Sequence, residues 1–138
     1  MSENRGMGIL LGLLGGNSET VSVIKSCLGN TIERVWLDER VSELRFKFTN
    51  GVCLRIWDDG QSCCECSRYM VTADDLSEYE NATLLDSELK RAPNSEDEYG
   101  EHEIQFLDVK TDKGIFQMAN HNEHNGYYGG FWIVARLF

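Results

Sequence analysis

Two short polar clusters concentrate the residue types able to do chemistry. The first runs Gly60-Gln61-Ser62-Cys63-Cys64-Glu65-Cys66-Ser67-Arg68-Tyr69, the second His121-Asn122-Glu123-His124-Asn125-Gly126-Tyr127-Tyr128-Gly129-Gly130. Cys63-x-x-Cys66 and His121-x-x-His124 offer four zinc ligands, but 54 residues separate the halves and Cys64 sits inside the first, whereas structural sites use compact knuckles. The cysteines read more readily as small hydrophobes alternating along a strand, so no metal or other cofactor is expected. A cysteine beside a histidine, oriented by Glu65 or Asn122, could act as a nucleophile, yet acidic surroundings raise a thiol's pKa. His121 or His124 could also pair with Glu65 as acid and base. No glycine-rich phosphate loop opens a helix, and no catalytic residue is assigned.

The second cluster has the composition of a nucleotide-sized pocket. Asn125-Gly126 permits positive φ, the glycines let backbone approach a ligand, and Tyr127 and Tyr128 offer stacking faces with hydroxyl tips. His121, Asn122, His124 and Asn125 add donors and acceptors for base edges or ribose hydroxyls. The same run also reads as a glycine-rich turn with its tyrosines packed on the core.

Short strands must position these clusters. β-branched and aromatic residues recur in runs at Thr31–Leu37, Glu43–Thr49, Val52–Trp57, Thr83–Arg91, Ile104–Lys110, Ile115–Asn120 and Phe131–Leu137, between Gly, Asn and Asp punctuation. The expected fold is mainly β (α+β), an antiparallel sheet of about seven short strands with one or two short helices. One helix is expected at Ala73–Tyr79 with Thr72 as N-cap, another at Glu19–Ser26. The acidic stretch Pro93–Glu103 reads as an exposed loop. Residues 1–18 read as a flexible or partner-docking arm, and residues 19–138 as one β-rich domain.

The first hairpin allows a sharper reading. A three-residue loop, Thr49-Asn50-Gly51, with Gly51 left-handed, pairs Phe48 with Val52, Phe46 with Leu54 and Leu44 with Ile56, giving one continuous apolar stripe. The opposite face then sets Arg45 beside Arg55 and Lys47 beside Cys53. Directly opposed arginines repel, so either nearby carboxylates, Glu43 or Asp58, neutralise them or an anion lies between them. A second hairpin with the loop Thr111-Asp112-Lys113-Gly114 places Val109 against Phe116 and Leu107 against Met118.

Composition narrows the partners. With 13 basic and 23 acidic residues the 138-residue chain carries −10, which disfavours long nucleic acids and anionic membranes. An anionic ligand must therefore be small, enclosed and held by a few clustered cations. Five cysteines, an odd number with two adjacent, do not form a disulfide framework, and Met7–Gly16 is short of the roughly 18 residues of a membrane span. A cytoplasmic protein with reduced thiols is expected.

The blocks Asn50-Gly51, Asp58-Asp59, Cys63-Cys64-Glu65 and Asn125-Gly126-Tyr127-Tyr128 resemble a family of small phage-encoded proteins with paired CCE and NGYY motifs. That family includes or neighbours the anti-Thoeris sponge proteins, and the resemblance covers residues 31–138. It implies a non-enzymatic oligomer that sequesters a cyclic ADP-ribose-type immune signal near subunit boundaries. Tyr127 or Tyr128 would stack on the base, Asn122 and Asn125 would read its edge or ribose, and Arg45, Arg55 or Arg68 would neutralise phosphates. Glu65, Tyr69, His121 and His124 complete the expected ligand-binding set. An inhibitor binding a defence protein through residues 94–103, or an enzyme degrading a cyclic nucleotide, are the alternatives.

Overall fold

The first hairpin sets the frame. In the computed structural model, which describes residues 18–60, 67–91, 95–97, 100–124 and 131–138, β2 (Glu43–Phe48) pairs with β3 (Cys53–Asp58) in the register Leu44↔Ile56, Arg45↔Arg55, Phe46↔Leu54 and Lys47↔Cys53. Gly51 takes φ +89°, and the Phe48 amide donates to the Val52 carbonyl at 2.9 Å, so the expected three-residue loop closes the ladder. β1 (Ile32–Asp38) and β9 (Ile133–Leu137) flank this pair, giving the antiparallel order β1-β2-β3-β9.

A second antiparallel sheet has the order β4 (Ser67–Val71), β8 (Gly114–His124), β7 (Gly100–Thr111) and β5 (Leu84–Arg91), with β6 (Ser95–Asp97) also on β7. Its central hairpin keeps the expected pairs Val109↔Phe116 and Leu107↔Met118, and Thr111 pairs with Gly114 around Asp112-Lys113. The chain is therefore mainly β, its strands divided between two sheets. The Pro93–Glu103 expectation is corrected: 95–97 and 100–103 are strand, because pairing onto β7 and β8 supplies partners that a solvated charge run does not advertise.

Alternation buries one face of each sheet against the other. Leu44, Phe46, Phe48, Leu54 and Ile56 meet Met70, Leu89, Leu107, Val109, Phe116 and Met118 in one core, with the Phe46 and Phe116 ring centroids 6.3 Å apart. α1 (Ser18–Cys27) adds Val21, Ile24 and Cys27, and the Ala135 amide at the β9 edge donates to Thr20 Oγ1 at 3.2 Å. The other expected helix shortens to a 3-10 turn, Leu76–Tyr79. Asp75, not Thr72, caps it by accepting from the Ser77 amide, while Thr72 Oγ1 accepts from Asp74, and Asn81 at φ +70° ends the turn. No described helix is long and apolar enough to cross a membrane.

Candidate functional site

Because Leu44, Phe46 and Phe48 point inward, Arg45 and Lys47 point outward, and the flanking strands extend the outward rows. One row reads Trp36, Arg45, Arg55, Arg136 across β1, β2, β3 and β9, with each neighbour in register. Three arginines thus stand side by side on a chain of net charge −10. Glu43 relieves part of the repulsion: its Oε1 accepts from Arg45 Nη2 at 2.8 Å and Nε at 3.1 Å, while its Oε2 lies 3.8 Å from Arg55 Nη1. Asp38 lies 3.8 Å from Arg45, and Glu19 3.6 Å from Arg136.

Arg55 is the least satisfied of the three. Among the described residues its guanidinium makes no hydrogen bond, its Nε is buried without a partner, and the side chain remains 37% exposed. It lies over Trp57, 4.6 Å from the ring centroid; Arg34 lies likewise over Trp36 at 4.4 Å, and Arg45 over Phe138 at 5.4 Å. Each guanidinium carries N–H groups in the fork geometry that suits phosphate and carboxylate oxygens.

A different group occupies the outward face of the second sheet. Tyr69 pairs across the ladder with His121, and their rings stack at 4.7 Å with 4° between planes. His121 Nδ1 lies 2.8 Å from His102 Nε2, and the Tyr69 hydroxyl donates to Glu123 Oε2 at 2.6 Å. That hydrogen bond, with burial and the Glu123 charge behind it, pushes the Tyr69 pKa up to about 12. Burial first, and the neighbouring His102 second, hold His121 below its ordinary value. The cluster keeps a neutral phenol beside a carboxylate and two imidazoles that occupy one another.

The expected binding set is therefore divided. Arg45 meets Arg55 and Tyr69 meets His121, but the two pairs face away from one core on opposite sides of the sandwich. Arg68 joins neither, because its Nη1 donates to Asp58 Oδ2 at 2.9 Å with both side chains only 9% exposed, and Asp58 Oδ1 also accepts from the Gly60 and Trp132 amides. Asn122 is fully buried, between Arg68 and Glu103 in the ladder. His124 is the last residue of β8, whereas Glu65, Asn125, Tyr127 and Tyr128 lie outside the described residues, as do Cys63, Cys64 and Cys66. Among the described residues no group of three or more His, Cys, Asp or Glu side chains could hold a metal.

The sequence reading missed Arg136, Trp36, His102 and Asn120. Asn120 is buried with neither amide atom hydrogen-bonded, beside a cavity of about 50 Å³ that Asp58, Arg68 and Tyr69 also line. This space suits a water or two, being far below the several hundred Å³ of a nucleotide site.

Residues 25–134 match the family described as Domain of unknown function (DUF7448), and the chain belongs to that family. No curated protein and no solved structure matches the chain.

Proposed function

We propose that this member of the DUF7448 family binds and sequesters a small nucleotide-type anion, without turning it over, on the outward face of β1, β2, β3 and β9. The observation that carries the reading is Arg55: the middle arginine of three, lying over Trp57, with no hydrogen-bond partner for its guanidinium among the described residues. A phosphate bridging Arg45, Arg55 and Arg136 removes their mutual repulsion and completes the donor set of Arg55. Trp36 and Trp57 give the same face flat apolar area for a base or ribose. The resemblance to sponge proteins supports a cyclic ADP-ribose-type ligand met in the host cytoplasm. The arginine row lies on a sheet face, so enclosure comes from a second copy, and binding is coupled to assembly.

Incubation with cyclic ADP-ribose isomers, heat denaturation and mass analysis of the supernatant tests this directly. Intact ligand retained before heating and released after it is the expected result. A chemically altered product, or no retention together with stoichiometric capture of a host protein, contradicts it. Native mass spectrometry of the same sample reads the assembly state.

A further inference from the structure

The four sheet edges are not treated alike. At one side α1 lies along β9, through the Ala135 to Thr20 hydrogen bond, and residues 29–30 pair with the start of β5, through Gly29 to Leu84 at 2.7 Å and Leu84 to Asn30 at 3.0 Å. At the other side, among the described residues, β1 is hydrogen-bonded beyond β2 only at its start, where Ile32 exchanges hydrogen bonds of 2.7 Å with Asn81 and Ala82, and the 3-10 turn Leu76–Tyr79 packs beside it. The Phe48 to Val52 hydrogen bond shows that Phe48, and by alternation Phe46 and Leu44, direct their backbone groups toward β3. Their partners on β1, Val35 and Leu37, accordingly aim N–H and C=O away from the sheet, and among the described residues none of these groups has a partner.

A groove of about 440 Å³ runs along this edge. Trp36, Leu37 and Glu39 form one wall; Val71, Asp74 and Asp75 contribute to the other. Among the described residues its walls carry three carboxylates and no cation. Asp74 uses Oδ2 to accept from the Gln117 amide, and Asp75 uses Oδ1 to accept from Ser77. Glu39 is exposed, and Val71 offers an apolar contact at 41% exposure.

We infer that this groove takes an extended segment of another protein, with basic and apolar residues in alternation, as an added strand on β1. The unpaired edge supplies main-chain hydrogen bonds, Leu37 and Val71 receive the apolar side chains, and Glu39, Asp74 and Asp75 receive the basic ones. Charge complementarity selects this occupant over a second copy, which would bring its own three carboxylates and a net charge of −10 to the same place.

The test uses the full chain and three seven-residue probes with blocked ends: Lys and Val in alternation, Glu and Val in alternation, and the Lys/Val peptide N-methylated at every residue. The Lys/Val peptide should bind by calorimetry and slow hydrogen exchange at the Val35 and Leu37 amides. The Glu/Val peptide and the N-methylated peptide should each bind at least about tenfold more weakly, the first for charge and the second for lost main-chain hydrogen bonds. Glu39→Lys, at an exposed turn, should weaken the Lys/Val peptide about threefold to tenfold without changing the melting temperature. Equal binding of the N-methylated peptide reduces the site to diffuse electrostatics and overturns the proposal. So does exchange protection at Val35 and Leu37 that rises with protein concentration alone, which assigns the edge to a second copy.

Discussion

The outward faces of the two sheets, built on opposite sides of one core, hold different kinds of charge. Arg45, Arg55 and Arg136 are permanent cations, the first two lying over aromatic rings and satisfied only in part by Glu43. Tyr69, His121, His102 and Glu123 have instead found one another, through a 2.6 Å and a 2.8 Å contact and a stacked pair of rings. The first face has donors left over for a ligand; the second has spent its polar atoms internally. Residue types alone do not distinguish a binding site from a self-satisfied cluster. The donors left without a partner do.

Four variants test this contrast. The largest effect belongs to neither face: Asp58→Ala leaves buried Arg68 without its carboxylate and should lower folding stability by about 3–5 kcal/mol in urea denaturation. A small loss there would return Arg68 to the candidate ligand set. Next, Arg55→Glu should weaken nucleotide binding about 30-fold to 100-fold by calorimetry while the fold persists, since it inverts the centre of the row. Wild-type affinity in this variant removes the face from consideration.

Tyr69→Phe should cost about 1 kcal/mol or less in stability and leave nucleotide affinity unchanged. It should also alter the alkaline profile. The folded phenol holds its proton to about pH 12 against an ordinary value of 10.0, so the stability it contributes is complete below pH 10 and lost as pH rises toward 12. That part of the decline should vanish in the variant. The smallest effect lies on the acid side. His121 is held below its ordinary 6.5, so the unfolded chain takes up this proton first and stability falls as pH drops through 6.5. His121→Asn should flatten this slope in thermal melts between about pH 7 and 5, while nucleotide affinity stays level across the same range because guanidinium groups do not titrate there. Affinity that follows the histidine titration would move the site to the second sheet.

Local features were the legible ones. The Arg45↔Arg55 pair followed from the apolar alternation of Leu44, Phe46 and Phe48 and from a glycine able to take φ +89° at position 51. Arg136 was out of reach, because its place beside Arg55 depends on β3 pairing with a strand some 80 residues later, which no short-range pattern encodes. β4, reading Ser-Arg-Tyr-Met-Val after a cysteine-rich run, and β6, inside an acidic run, lack the apolar signature and are strands because a neighbour accepts them. The same tertiary pairing draws His121 and Asn122 out of the expected loop and into β8, where alternation turns one outward, half-buried, and buries the other fully.

The proposed function requires that the arginine row, not the Tyr69 and His121 cluster, receive the ligand. Nuclear magnetic resonance titration of isotope-labelled protein with cyclic ADP-ribose reads both faces in one experiment. Saturable shifts are expected at the side-chain Nε–H signals of Arg45, Arg55 and Arg136 and at the indole N–H signals of Trp36 and Trp57, with Tyr69, His102 and His121 unmoved. Shifts confined to Tyr69, His102 and His121, or an unchanged spectrum at millimolar ligand, would contradict it.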